Sequence, residues 1–138
     1  MKKFLIAWLV LAVVWMASGF LVHQVLLGDE YLALQALFRP ETEAQSYFGL
    51  MVLANVMMAG AFVWIYSRGI SAAPWFGQGF RFGIAVALLT VVPVHLIYYV
   101  VQPMPQALVI KQILFDGIRI ILMGIVVAGV YRQKASVA

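Results

Sequence analysis

The sequence predicts an all-α fold: a four-helix transmembrane bundle with a short periplasmic amphipathic helix between spans 1 and 2. Three observations predict it, namely 65% hydrophobic residues, only 10% charged residues, and four long apolar segments. Soluble domains carry about 25% charged and about 45–50% apolar residues. Because a small fold leaves much of its surface in solvent, a chain of 138 residues cannot bury this much apolar side chain in water. Lipid is therefore its expected surrounding.

Each apolar segment contains about 20 residues, the length at which a helix crosses the hydrocarbon core of a bilayer. Backbone groups in hydrocarbon must be hydrogen-bonded within the segment, so helices are expected rather than isolated strands. The chain is expected to form one integral membrane domain, residues 1–138. Its predicted spans are residues 4–27, 47–66, 80–101 and 106–130.

The distribution of Lys and Arg predicts the orientation of the spans, since cytoplasmic loops carry an excess of both residues. One side of the topology collects six cations: Lys2, Lys3, Arg68, Arg81, Arg132 and Lys134. The 28–46 loop on the other side holds only Arg39, beside four acidic residues. We expect a bacterial inner-membrane protein with both termini in the cytoplasm and the 28–46 loop in the periplasm.

The 28–46 loop shows a helical spacing of apolar residues, which predicts one short amphipathic helix. The residues are Tyr31, Leu34, Leu37 and Phe38, followed by Pro40 as the expected end of the helix. The segment Thr42–Gln45 has the spacing of a capping box that would start span two. The helix is expected to lie at the lipid headgroups or to form a lid over an outward-facing pocket.

Small residues recur on spans three and four, where they allow helix backbones to approach closely. They are Gly79, Gly83 and Ala87 on one span and Gly117, Gly124 and Ala128 on the other. Packing within the bundle is the expected role of both stripes, and a dimerisation face is the alternative.

Polar side chains at membrane depth are costly, so each one marks a candidate functional position. Nearly all of them lie in the outer half of the bundle, judged from the ~1.5 Å rise per helical residue. On span four, Gln112, Asp116 and Arg119 share one face because of their i, i+4, i+7 spacing. We expect the polar faces of the four spans to converge on an outward-facing polar pocket, with Asp116 and Arg119 at its base. The candidate pocket residues are His23, Asn55, His95, Tyr98, Tyr99, Gln112, Asp116 and Arg119.

His23 and His95 are the two histidines of the chain and lie at similar depth on different spans. Facing histidines in a bundle can hold haem b through both axial positions of the iron. With Asp116 or Glu30 they could instead bind a divalent metal. Hydrogen-bonded structural histidines and a proton-handling role are the other interpretations. The Asp116–Arg119 pair allows a static ion pair, a proton or ion relay, or an anchor for an anionic ligand.

Several classes of function are excluded or disfavoured. With no Cys, the chain has no disulfide, thiol relay or cysteine nucleophile. It contains no P-loop, Rossmann glycine pattern, G-x-S-x-G elbow or H-E-x-x-H motif, so an enzyme is not favoured. The nine cations are scattered, whereas nucleic-acid binding requires them on one face.

Three stretches carry a resemblance to a known type of protein. They are Gly19-x-x-x-His23-x-x-Leu26-Leu27-x-x-x-Tyr31, the segment Arg81 to Tyr99, and the closing Gly129-Val130-Tyr131-Arg132. In these the chain resembles small bacterial four-span integral membrane proteins whose domain has no assigned function. The resemblance implies the fold and a membrane location, and it implies no catalytic residue.

The leading hypothesis is a non-enzymatic membrane protein with an outward-facing polar pocket. It would act as an accessory subunit or bind a small ligand or a lipid headgroup. The first alternative is a redox protein with a bis-histidine haem or a quinone site at His23 and His95. The second is a small oligomeric proton-coupled transporter with Asp116 as coupling carboxylate. Expected partners are the lipid bilayer and either a larger membrane complex or further copies of the chain.

Overall fold

The computed structural model describes residues 1–132, and Lys134, counted above among the cytoplasmic cations, lies outside the described residues. All regular structure in residues 1–132 is helical, which confirms the predicted all-α fold. Four helices are long and apolar enough to cross a membrane. The helices are α1 (Lys2–Phe20), α2 (Gly28–Leu32), α3 (Glu41–Ser46), α4 (Phe48–Arg68), α5 (Trp75–Val101) and α6 (Gln106–Tyr131).

The first span does not end with α1 but continues as a π-helical segment, Leu21–Leu26. In it, the backbone N–H of Leu27 donates to the carbonyl oxygen of Val22 five residues earlier, at 3.0 Å. One π-helical turn holds more residues than an α-helical turn, so it rotates the side chains that follow, and such turns often occur at functional sites. This segment carries His23.

The third span begins at Trp75, five residues before the predicted start at Phe80. Pro74 immediately precedes it, and a proline at the start of a helix loses no hydrogen bond, because the first N–H groups have no partner within the helix. The side-chain amide of Gln78 donates to the carbonyl oxygen of Gly69 at 2.7 Å, which ties the start of α5 to the end of α4. The connection between spans two and three is therefore shorter than predicted.

Helices α5 and α6 form the closest helix pair, and glycines bring their backbones together. A Cβ atom on Gly79 would lie 2.4 Å from the carbonyl oxygen of Gly124. A Cβ atom on Gly83 would lie 2.6 Å from the Cα atom of Ile121. Gly117 does not share this role, since a Cβ atom there would meet nothing within 4 Å. The small-residue prediction is thus correct at this interface for all but Gly117.

Helix α1 packs between α4 and α6, and the four spans meet most tightly at the end of the bundle that holds the chain termini, here called the terminal end. The aromatic rings of α4 reach α5 there: Phe62 lies 4.8 Å and Tyr66 lies 5.2 Å from Phe82, measured between ring centroids. The opposite end, which carries residues 28–46, is called the loop end. Leucines on the outer face, such as Leu88 and Leu89, are more than half exposed and available to lipid.

The 28–46 segment differs from the single amphipathic helix that its spacing predicts. It forms the five-residue α2 and then a 3₁₀ turn at Gln35–Leu37. Tyr31 and Leu34 pack on a small cluster at the loop end, formed by Val22, Leu27 and Leu108. Because these contacts draw the segment over the top of the bundle, it bends rather than extending as one helix.

The prediction of a capping box at Thr42–Gln45 is wrong. Helix α3 begins at Glu41, so Thr42 already lies inside it, and no side chain caps its first turn. The carbonyl oxygen of Pro40 accepts from the backbone N–H groups of Glu43 and Ala44, at 3.0 and 2.9 Å. The helix starts earlier than predicted because the turn after Pro40 supplies its first hydrogen bonds.

Candidate functional site

The candidate site is centred on Asp116, a buried carboxylate in the loop-end half of α6 whose side chain is 9% exposed. Its Oδ1 atom lies 2.7 Å from Nη1 of Arg119 and 3.4 Å from Nε2 of His23. Its Oδ2 atom lies 3.0 Å from Nε2 of His95. One carboxylate thus faces three cationic or potentially cationic groups from three elements. We call these four residues the carboxylate cluster.

Helix geometry explains how His95 reaches the cluster. The buried face of α5 repeats every four residues through Gly83, Ala87 and Val91, and His95 continues the same row toward the loop end. This face packs on α6, so His95 meets Asp116 directly. Arg119 comes from α6 itself, one turn beyond Asp116, which places both side chains on one face.

His23 reaches the cluster from the π-helical segment and is held there by Tyr31. The Nδ1 atom of His23 lies 3.0 Å from the hydroxyl oxygen of Tyr31. That oxygen also accepts a hydrogen bond from the side-chain amide of Gln112 at 2.8 Å. Gln112 lies one turn before Asp116 on α6. The hydrogen bonds at the Tyr31 hydroxyl therefore connect His23 to the helix that carries Asp116.

The donors and acceptors determine which nitrogen of each neutral histidine carries the proton. An ionised carboxylate only accepts hydrogen bonds, so the Nε2 atoms of both histidines must be the protonated ones. Nδ1 of His23 is then an acceptor, and the Tyr31 hydroxyl donates to it while accepting from Gln112. Burial raises the pKa of the Tyr31 hydroxyl, which keeps it protonated and able to donate at neutral pH.

Arg119 joins the cluster to α1. Its Nε atom donates to Oγ of Ser18 at 3.1 Å, and its Nη2 atom donates to the backbone carbonyl oxygen of Trp15 at 3.3 Å. The guanidinium also lies 5.7 Å from the Trp15 ring centroid, within cation–π distance. The absence of a side chain at Gly19 leaves room for this approach, since a Cβ atom there would lie 3.2 Å from Nη2.

Sequence analysis missed three members of this network: Trp15, Ser18 and Tyr31. Ser18 follows Trp15 by three positions and Val22 follows Ser18 by four, so the three residues share one face of span one. That spacing was a usable signal for the face turned toward α6. Tyr31 gave no such signal, because its contact with His23 depends on the fold of the 28–46 segment.

Three predicted pocket residues do not join the cluster. Asn55 donates its side-chain amide to the carbonyl oxygen of Met51 on its own helix, at 2.6 Å. Tyr98 and Tyr99 are 50% and 41% exposed, on the outer surface of α5. The prediction that all four spans contribute polar faces is wrong for α4, which packs mainly on α1.

An ion pair closes the loop end above the cluster, between Lys111 of α6 and Glu30 of α2. Glu30 is the neighbour of Tyr31 in the chain, so the ion pair also holds the segment that positions the Tyr31 hydroxyl. The hydrogen bond from Lys111 holds the pKa of the Glu30 carboxyl below its ordinary value. The folded contact therefore favours the ionised carboxylate.

Replacing Glu30 with glutamine is expected to loosen α2 and to speed hydrogen exchange in the segment around Tyr31, because the charge that holds Lys111 is lost. Since the folded pKa is lowered, the ion pair stabilises the wild type at neutral pH and ceases to do so as the pH falls through that value. Acidified wild-type protein should therefore resemble Glu30→Gln. Hydrogen exchange followed by mass spectrometry measures the Glu30→Gln variant and the acidified wild type, with Glu41→Gln as the control. Equal effects of Glu30→Gln and Glu41→Gln on exchange around Tyr31 would contradict the prediction.

The polar groups of the cluster bond to one another rather than lining an open polar pocket. In residues 1–132, no buried side-chain nitrogen or oxygen lacks a hydrogen-bond partner. Two concavities lie nearby and are lined mainly by apolar side chains. One, of about 230 Å³, lies between α1 and α6 beside Arg119; the other, of about 160 Å³, lies under Glu30 and Lys111.

The histidines are not arranged as ligands of a shared iron or metal ion. Both Nε2 atoms lie within 3.4 Å of the Asp116 carboxylate, so neither is directed at a haem between them. Across the described part of the chain, no group of three or more His, Asp and Glu side chains is placed to hold a metal ion. The haem b and metal assignments for His23 and His95 stay predictions that this arrangement does not favour.

Fold and site together define a multi-pass helical membrane protein with a buried cluster of ionisable side chains in one half of the bundle. Comparison with models of known families, with curated proteins and with solved structures finds no match.

Proposed function

We propose that this chain is a bacterial inner-membrane protein, with both termini in the cytoplasm, whose carboxylate cluster takes up and releases protons from the periplasmic side. One observation carries the proposal: two imidazole Nε2 atoms and a guanidinium share the Asp116 carboxylate within the membrane. Histidine changes its charge between pH 5 and 8 more readily than other side chains. Ionisable groups inside membrane spans commonly form proton relays.

The hydrogen bonds above Asp116 provide a route for a proton from the loop end. His23 is the most exposed member of the cluster, with 34% of its side chain accessible, and Tyr31 covers its Nδ1 atom. A proton that binds to Nδ1 turns this atom from an acceptor into a donor. The hydrogen bond with Tyr31 then reverses, and the hydroxyl proton of Tyr31 must find another acceptor. Proton uptake would in this way disturb the contact that holds the 28–46 segment.

Toward the terminal end, the buried core of residues 1–132 contains no charged side chain. Seven side chains with at most 1% exposure fill this region, all of them apolar: Ala7, Leu11, Ala59, Val63, Met123, Val127 and Ala128. Such a layer opposes proton passage, since charges are strongly disfavoured in hydrocarbon. This supports proton exchange from one side only, as in a proton-responsive membrane protein, rather than an open proton channel.

The other functional hypotheses use the same geometry in different ways. In proton-coupled transport, a substrate would also bind at the carboxylate cluster. In an accessory subunit, the proton-dependent movement would be passed to a larger complex or to other copies of the chain. Both stay predictions, as does the resemblance to small bacterial four-span proteins. A bis-histidine redox centre would require both imidazoles to leave Asp116.

The proposal is tested by infrared difference spectroscopy after a pH jump, on protein that is inserted in one orientation in vesicles and labelled with ¹⁵N in its histidine rings. A drop in pH at the loop end is expected to produce a histidine signal and a tyrosine signal together. Tyr31→Phe should abolish the tyrosine signal and retain the histidine signal, because only the acceptor for the reversed hydrogen bond is lost.

Tyr98→Phe is the matched control, because Tyr98 is a half-exposed tyrosine near the loop end, and it should retain both signals. Asp116→Asn should change the histidine signal, since an amide cannot accept from both imidazoles and Arg119 as a carboxylate does. An equally fast response to acid at the terminal end would refute one-sided exchange. A histidine signal unchanged in Asp116→Asn would refute the role of the cluster.

A further inference from the structure

One face of α4 is buried at the terminal end of the bundle and exposed at the loop end. Its residues follow each other by three or four positions, which places them on one side of the helix: Phe48, Met51, Asn55, Met58 and Phe62. Phe62 is 3% exposed and packs on α5. Phe48, Met51 and Met58 are 52%, 53% and 44% exposed. We call the first four of these residues the α4 stripe, and it continues the buried face of α4 beyond the part that the chain itself covers.

Asn55 lies within the α4 stripe and close to the middle of the span. It is the eighth of the 21 residues of α4, three residues from the centre of the helix. With a rise of ~1.5 Å per residue and a hydrocarbon core about 30 Å thick, this position lies roughly 10 Å from the headgroup region. An asparagine side chain is too short to reach water from there. Its amide therefore faces hydrocarbon unless another protein covers it.

The Asn55 amide has hydrogen-bonding capacity that its own chain leaves unused. Within residues 1–132 the structure shows one hydrogen bond of this side chain, to the carbonyl oxygen of Met51, and this bond lies on the exposed surface. A carboxamide has two N–H donors and an acceptor oxygen, so one N–H group and Oδ1 remain. Hydrocarbon can bond to neither, and unsatisfied polar groups are costly there. A suitable partner supplies a donor and an acceptor at the same depth.

A second copy of the chain supplies both groups from one residue. Two copies inserted in the same orientation and related by a two-fold axis perpendicular to the membrane have their Asn55 residues at the same depth. Each amide can then donate its free N–H group to Oδ1 of the other. The three–four spacing suits this arrangement, because equivalent positions meet across two parallel helices, and one asparagine in such a seam fixes its register. The methionines on either side of Asn55 are flexible enough to adapt to a facing helix.

We propose that the α4 stripe is the contact surface of a parallel homodimer, in which the Asn55 amides of two copies hydrogen-bond to each other. The two copies of α4 meet in the loop-end half and diverge toward the terminal end, since Phe62 and Tyr66 already pack on Phe82 of their own chain. The α4 stripe contains no member of the carboxylate cluster. Dimerisation and proton exchange are therefore separate properties of the protein.

The cysteine-free sequence permits a test by disulfide cross-linking in the membranes of expressing cells. Met58→Cys places a thiol in the α4 stripe, where it meets its equivalent in the second copy, and the lipid-soluble oxidant copper phenanthroline should convert the pair into a disulfide-linked dimer. Met57→Cys is the matched control, because Met57 is also an exposed methionine. It lies about 100° away around the helix axis and should give roughly fivefold less dimer, since a disulfide requires closely spaced Cα atoms.

The role of the amide is tested by energy transfer between full chains that carry a fluorophore at one terminus, diluted with lipid in vesicles. Asn55→Leu should raise the dissociation constant of the dimer about fivefold or more, as expected for a polar contact between spans. Asn55→Gln keeps a carboxamide and should retain most of the dimer.

Three results would overturn the α4 stripe as a homodimer surface. They are a monomeric wild type in the energy-transfer assay, equal cross-linking of Met58→Cys and Met57→Cys, and a cross-linked product with the mass of a different protein. Undiminished dimerisation of Asn55→Leu would overturn the role of the amide.

Discussion

Replacing Asp116 with alanine is expected to lower the free energy of unfolding by about 3–5 kcal/mol, the range measured when one partner of a buried ion pair is removed. The side chain of Arg119 is only 12% exposed, and the substitution leaves its charge within the span without a counter-ion. Both histidine Nε2 atoms also lose their acceptor. Equilibrium unfolding in mixed micelles measures the change.

A double substitution separates the cost of leaving the Arg119 charge without a counter-ion from the loss of the Asp116–Arg119 contact itself. Asp116→Leu combined with Arg119→Met removes both charges and should recover most of the stability, since apolar replacements of a buried pair are often neutral. Glu43→Ala is the control for an exposed carboxylate, because Glu43 pairs with Arg39 at the surface and such pairs contribute at most about 1 kcal/mol. A double variant less stable than Asp116→Ala would contradict this explanation.

Replacing Gly124 with alanine is expected to destabilise the bundle by about 3 kcal/mol, the upper part of the usual range for overpacking. The new Cβ atom would lie 2.3 Å from the carbonyl oxygen of Gly79 and 2.8 Å from the backbone nitrogen of Gly83. Both neighbours are backbone atoms, so no side chain can move aside. Helices α5 and α6 would have to separate along the interface that also positions His95 against Asp116.

The opposite effect on stability is expected for Gly117→Ala on the same helix. A Cβ atom at this position meets nothing within 4 Å, and alanine favours the helix over glycine by up to about 1 kcal/mol. We expect unchanged or increased stability for Gly117→Ala in the same unfolding assay. If the two glycine variants changed stability with the same sign and size, close backbone contact at Gly124 would not be the cause.

The depth of the cluster could be predicted from the sequence because an α-helix advances by a constant rise per residue. His95 and Asp116 therefore had to lie in the same half of the bundle once the spans were recognised, with Arg119 near the middle of its span. The i, i+3 pairing of Asp116 with Arg119 also follows from spacing alone.

The position of a side chain around its helix axis was harder to predict, because it depends on which helices are neighbours. Asn55 lies at a suitable depth, but α4 packs mainly on α1 and its amide bonds to its own helix. Tyr98 and Tyr99 follow His95 on α5 and yet face outward. In each case the spacing predicts an approximate face of the helix, whereas the tertiary structure decides which element packs on that face.

The amino-acid sequence by itself determined that this protein is a four-helix membrane protein with nearly all of the polar residues at membrane depth in one half of the bundle, since hydrophobicity and helix rise are local properties. Tertiary structure decided which of these residues meet. The π-helical turn directs His23 toward α6, and the folded 28–46 segment brings Tyr31 onto it. Both depend on packing between segments distant in the chain, whose energies no single stretch of sequence contains.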